Sequence, residues 1–248
     1  MTDAAAPTGR EFRIGPIFSR SWSIYAANFL IFTLVAIIAA LPNQLGGDFE
    51  SSAGAIRSGI VFIVSVILYF VGQAVILYGA FQAMRGRNVI IGDAVGRAFS
   101  RFLSLLGISI LVFLGVAVGM MLLVIPGIML ALRWAVAVPA CVVENKGPLD
   151  SMRRSAELTK GHRWKIFGMW VLLVILAIVI VIIASVLAGL GVVAAPQGFG
   201  RLLIAGVISL ILTSIVTAYS YVLNAMIYHD LRVAKEGVGT EEIAAVFD

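Results

Sequence analysis

Residues 122–145 read "LLVIPGIMLALRWAVAVPACVVEN", apolar enough for lipid yet interrupted by Pro126 and Pro139 and carrying Arg133 near the middle. The amount of apolar chain around this stretch decides its reading. A membrane helix needs about 20 apolar residues to cross a hydrocarbon core of about 30 Å. Residues 102–143 hold a single charged side chain, Arg133, and as one helix would run about 63 Å, twice that thickness. The segment must therefore fold back. Ile125-Pro126-Gly127 offers the place, because Pro126 cannot donate a backbone hydrogen bond and Gly127 accepts a left-handed backbone. The quoted stretch thus reads as the second half of a hairpin with spans at about 102–124 and 128–143. The second span is short, about 24 Å, and open to a kink at Pro139.

The same test applied outward gives the rest. The chain has 248 residues, 61% hydrophobic and 12% charged, with mean hydropathy +1.05; soluble domains are less apolar and about twice as charged. Further windows free of Asp, Glu, Lys and Arg run over 21–47, 58–84, 166–200 and 202–228. They predict spans at about 22–41, 57–83, 166–188 and 202–228, six in all. The predicted class is an all-α polytopic membrane protein of three hairpins. A polar tail, 1–13, precedes the membrane domain, 14–228, and a second tail, 229–248, follows. The polar start, with no short apolar core before a small-residue cleavage site, predicts an uncleaved first span.

Charge sets the orientation. The termini and the loops 84–101 and 144–165 hold Arg10, Arg13, Arg20, Arg85, Arg87, Arg97, Arg101, Lys146, Arg153, Arg154, Lys160, Arg163, Lys165, Arg232 and Lys235. The opposite side holds Arg57 and Arg201, beside Asp48 and Glu50. Fifteen cations against two predict cytoplasmic termini by the positive-inside rule. Cations distributed in this way are topology signals rather than a nucleic-acid groove, although contact with anionic phospholipid headgroups is compatible with them. The lone Cys141 excludes an internal disulfide and a cysteine zinc cluster.

The approaches to the first, third and fifth spans are alike: "IGPIFSRSW" (14–22), "IGDAVGRAF" (91–99) and "PLDSMRRSA" (148–156). Arg20, Arg97 and Arg154 are each followed by a small residue, which predicts three copies of an interfacial helix plus a transmembrane hairpin. The third copy has the clearest helix signals. Pro148 suits a first helical position and Gly161 a C-terminal stop. Leu149, Met152 and Ala156 share a face opposite Asp150, Arg153, Arg154, Glu157 and Lys160, as expected of a helix lying in an interface.

From Ile125 up to Lys165 stand Ile125-Pro126-Gly127, Arg133-Trp134, Pro139, Glu144, Gly147, Arg154-Ser155 and Leu158-Thr159-Lys160-Gly161-His162. Together they resemble the membrane domain that precedes the catalytic domain in some glycerophosphoryl diester phosphodiesterases, and related stand-alone multi-spanning proteins. The resemblance implies a six-helix integral membrane protein of no established biochemical activity. Residues 229–248 are too few for a phosphodiesterase domain, so the enzyme activity is not expected here.

The residues that stand out as structural or ligand contacts are Arg133, Glu144, Arg153, Arg154, Pro126 and Gly127. Arg133 lies six residues past Gly127, about 9 Å along a helix, and reads as a cation snorkelling to the outer interface beside Trp134; ligand contact is the alternative. Glu144 ends its helix, where a carboxylate opposes the macrodipole, and calls for a cation such as Arg153 or Arg154. His162 and His229 lack carboxylates at metal-ligand spacing, and no phosphate loop, serine elbow or carboxylate pair is present. No cofactor is expected. The function that follows is non-catalytic: an inner-membrane protein that scaffolds, binds or modulates a lipid or membrane-protein partner. A transporter or channel component is the alternative.

Overall fold

The computed structural model describes residues 12–44, 52–194 and 199–237, and every regular element among them is helical. Asp48, Glu50, most of the N-terminal tail and residues 238–248 lie outside the described residues, as does the side chain of Arg201. Helices α1 (Ile14–Ala27) and α2 (Phe29–Ala40) are followed by a 3-10 turn (Leu41–Gln44), α3 (Ser52–Met84) and α4 (Ile91–Leu122). Then come α5 (Val124–Arg133), α6 (Ala137–Glu144), α7 (Pro148–Thr159), α8 (Arg163–Ala194) and α9 (Phe199–Glu236). Five stretches are long and apolar enough to cross a membrane, with α1 and α2 making a sixth if taken as one bent span.

That bend departs from the expected straight span over 22–41. Helices α1 and α2 meet at 84° across Asn28, so residues 22–27 belong to the helix before the bend. The cause is local. The Asn28 amide donates to the Ile24 carbonyl at 3.1 Å, and its backbone N–H goes to Tyr25 O, also at 3.1 Å. An asparagine that bonds nearby carbonyls competes with the helical ladder. The Tyr25 hydroxyl then reaches Thr33 Oγ1 at 2.9 Å across the corner.

The expected fold-back is present, but it turns earlier and for another reason. Leu123 is the extended residue (φ −162°, ψ 146°), and α5 already contains Pro126 at its third position, where a proline costs no intrahelical hydrogen bond. Gly127 is helical, not left-handed; among the described residues the positive-φ glycines are Gly86, Gly161 and Gly237. What Gly127 supplies is proximity. A Cβ on Gly119 would lie 2.9 Å from the Gly127 Cα, and one on Gly127 would lie 2.7 Å from the Met120 backbone nitrogen. Two glycines thus let α4 and α5 meet backbone to backbone, as small residues do between membrane helices.

Helix α9 is the hub, packing against α1, α2, α3, α7 and α8. The main core joins Tyr25, Phe32, Leu77, Phe81, Val136, Leu158, Met169 and Tyr228. A second cluster fills the space between α3, α4 and α6 around Tyr78, Leu105, Ile108 and Cys141. Burial is uneven: 44% of the apolar window of α3 is covered by protein, but 17% of that of α4 and 11% of that of α8. The uncovered apolar surface of α4 and α8 suits lipid.

Candidate functional site: a broken helix and its ion-paired end

The stretch after Arg133 does not continue as one helix. Residues 134–136 form a turn, and α6 starts at Ala137 with Pro139 again in third position. In an unbroken helix residue 139 would donate to the carbonyl of Ala135, which proline cannot do. That carbonyl instead accepts the Asn224 amide of α9 at 3.2 Å. Two further freed groups are met from α7. Ser155 Oγ donates to Arg133 O at 3.0 Å and accepts from the Val136 N–H at 3.2 Å, and Thr159 Oγ1 donates to Arg133 O at 3.2 Å. Buried backbone groups left unmet would cost about 1–3 kcal/mol each, so these three side chains hold the break in shape.

Helix α7 is built for this. Asn145 ends α6 in the left-handed region (φ 54°), Gly147 caps α7, Pro148 opens it, and Gly161 (φ 87°) follows its end. Pro148 and Gly161 serve as their sequence positions suggested. Of the expected buried face, Met152 and Ala156 are buried but Leu149 stands 69% exposed, and the buried side extends to Ser151, Ser155, Leu158 and Thr159.

At the far end of α6, Glu144 receives three donors: Arg154 Nε at 2.7 Å, Lys146 Nζ at 2.6 Å and the Tyr228 hydroxyl at 2.7 Å. Arg154 also pairs with Glu236 of α9, which Arg232 Nε meets at 3.0 Å. Burial works against the Arg154 guanidinium, but Glu144 and Glu236 outweigh it and hold its pKa above the ordinary arginine value. Beside this network Arg20 of α1 reaches Asp230 at 3.3 Å, which also contacts His229 Nδ1 at 3.0 Å. Nearby, burial and the charges of Lys235 and Lys165 lower the pKa of His162, whose ring meets Phe12 edge-on at 5.1 Å.

Of the residues picked from sequence, Glu144 and Arg154 are brought together. Arg153 is not: it is exposed and faces Glu157 at 3.6 Å. Pro126 and Gly127 sit in the α4–α5 packing. Arg133 lies ten residues past the turn residue, about 15 Å along α5 rather than 9 Å, with its carbonyl held by α7. Trp134 is not beside that turn; its ring covers Gly115, where a Cβ would stand 2.7 Å from Trp134 Cη2. Sequence reasoning missed Ser155, Thr159, Tyr228 and Glu236 as partners. The serine–threonine stripe opposite a proline-broken helix was the available signal.

Neither the curated proteins nor the solved structures contain a match to this chain. A family model, however, covers residues 114–244, more than half of the 248 residues, including the break, Glu144, Arg154, Asn224 and Glu236. The match is to a membrane domain and includes no catalytic one. The chain therefore belongs to the family described as the membrane domain of glycerophosphoryl diester phosphodiesterase.

Proposed function

We propose that this protein is a non-catalytic module of the bacterial inner membrane, with both termini cytoplasmic, that holds a lipid or protein partner at its cytoplasmic side. In this reading the helices form three hairpins, each led by a short helix near the interface, and Arg20, Arg97 and Arg154 mark the three copies. One observation carries the proposal: the buried charges of the polar end are used to fasten helix to helix. Glu144, with three donors on it, is poorly placed to take a proton from a substrate, and a general base must have that freedom. Arg154 is likewise committed to two carboxylates. Purified protein in vesicles of phosphatidylethanolamine and phosphatidylglycerol should hydrolyse no glycerophosphodiester and pass no small anion, while retaining phosphatidylglycerol through detergent exchange. Glycerophosphodiester turnover that is lost in Glu144→Gln would refute the non-catalytic reading.

Transport is the second reading, and a specific feature favours it. Among the described residues two helices are interrupted, at Asn28 and at 134–136, and transporters build substrate sites from discontinuous helices. Anion flux that disappears in Ser155→Ala at unchanged folding would select it.

A further inference from the structure

The two least covered spans, α4 and α8, leave a gap between them. Both pack against α5, and α4 also against α6, but among the described residues hardly any contact joins α4 to α8. A groove of about 480 Å³ occupies the gap. Val112, Phe113 and Val116 of α4 line one side, Trp170 of α8 lines the other, and Trp134 and Ala135 of the helix break lie between. Phe113 is 71% exposed, so the groove opens onto the lipid-facing surface of α4. One end of it can be placed against the polar network. A Cβ on Gly107 would lie 3.1 Å from Pro148 Cγ, so Ile108, at the edge of the groove, is on the Glu144 side of the bundle.

No charged side chain stands among the described lining residues, whose polar side-chain groups are the Ser109 hydroxyl and the indole N–H groups of Trp134 and Trp170. Such a wall excludes an ionic headgroup, which is costly to strip of water, and fits hydrocarbon. The dimensions narrow the occupant further. Along α4 the lining runs from Ile108 to Ala117, about 14 Å of helix, close to half of a hydrocarbon core of about 30 Å. That is the depth of one leaflet. At about 30 Å³ per water-sized group the groove holds roughly sixteen such groups, the bulk of one acyl chain. A helix about 10 Å across would fill it in little more than one turn. Between apolar surfaces in lipid, packing decides what is held. A chain lying between α4, α8 and the break has protein on three sides, against one on the outer face of α8, and gains the corresponding dispersion contacts.

We infer that the groove between α4, α8 and the helix break holds one acyl chain of a bilayer lipid from the leaflet on the Glu144 side, with the headgroup beyond Ser109 and Trp170. This rests on the proposed lipid-holding function and names where the chain lies. The test reconstitutes the full chain in vesicles of phosphatidylethanolamine and phosphatidylglycerol containing a phosphatidylcholine with a diazirine in mid-chain. After irradiation, labelled residues are mapped by peptide mass spectrometry. Labelling within 108–117 and 131–138 should exceed that of the exposed α8 residues Ile175, Ile178 and Ile182 by about threefold or more. Ala117→Trp fills the groove from an exposed position and should bring its labelling down to the level of α8 at unchanged melting temperature. Even labelling of groove and α8 in the wild type overturns the site without recourse to any variant. Groove labelling that persists in a normally melting Ala117→Trp protein overturns it too. So does efficient disulfide formation between two copies carrying Phe113→Cys, since a second copy would then cover the groove. In each of these cases retention of phosphatidylglycerol through detergent exchange leaves the broader function standing. Loss of that retention, or hydrolysis or flux by the wild type, would overturn the broader function whatever the groove holds.

Discussion

At one end of α5, Gly119 and Gly127 bring two backbones together with nothing polar between them. At its other end the chain breaks, and Ser155, Thr159 and Asn224 must meet the freed backbone groups before Glu144, Arg154 and Glu236 can lock α6, α7 and α9 together. The two ends answer to different solvents. Where apolar surface faces lipid, burying more of it yields little, and close packing of small residues does the holding. Where the bundle is polar, a charge withdrawn from water is tolerable only if paired, and removing one partner costs more than the pair contributes. The polar end should therefore be the more fragile one under single substitutions.

Glu144→Gln should have the largest effect, because it leaves Lys146 without its carboxylate and Arg154 with Glu236 alone, which Arg232 shares. A loss on the order of 3 kcal/mol is expected, read as a fall in melting temperature in detergent. Ser155→Ala comes next. It removes both the donor to Arg133 O and the acceptor for the Val136 N–H, for roughly 1–3 kcal/mol, and amide exchange at Val136 should accelerate; an unchanged exchange rate would place the fastening elsewhere. Gly127→Ala probes the apolar end. Its Cβ would press on the backbone nitrogen of Met120, so α4 and α5 must separate, at about 1–3 kcal/mol, read as a fall in melting temperature in detergent.

Two smaller effects sharpen the contrast. Burial and the nearby lysines Lys235 and Lys165 lower the pKa of His162. The unfolded chain then takes up the proton first as pH falls. This stability is complete above the ordinary histidine pKa of about 6.5 and declines below it. His162→Gln should flatten the decline of melting temperature between neutral and mildly acidic pH. Arg133→Lys should change stability least, since the side chain is exposed and what α7 holds is the Arg133 carbonyl, which lysine keeps.

Much of this was legible in the sequence. Hydropathy and length required the fold-back, Pro148 and Gly161 marked the ends of α7, and a carboxylate ending a helix called for an arginine. Other features depend on direction, which composition does not encode. Asn28 stands inside a window free of charged residues, 21–47, so the charge pattern did not mark the 84° corner. Arg153 and Arg154 are neighbours in sequence but roughly 100° apart around a helix, and only the docking of α7 decides which faces Glu144. That docking is set by Ser151, Ser155 and Thr159, residues polar enough to look like a solvated face. Gly127 was picked for its backbone freedom, whereas in the fold it packs against Met120 and Gly119.

The Glu144–Arg154 contact ties α6 to α7, and a double-mutant cycle measures it. Unfolding free energies in detergent for the wild type, Glu144→Gln, Arg154→Gln and the double variant give the coupling, with Arg153→Gln run in parallel. The expected result is a coupling of roughly 1–3 kcal/mol with Arg154 and none above about 0.5 kcal/mol with Arg153. Additive losses for Glu144 and Arg154, or a coupling that appears with Arg153 instead, would contradict it.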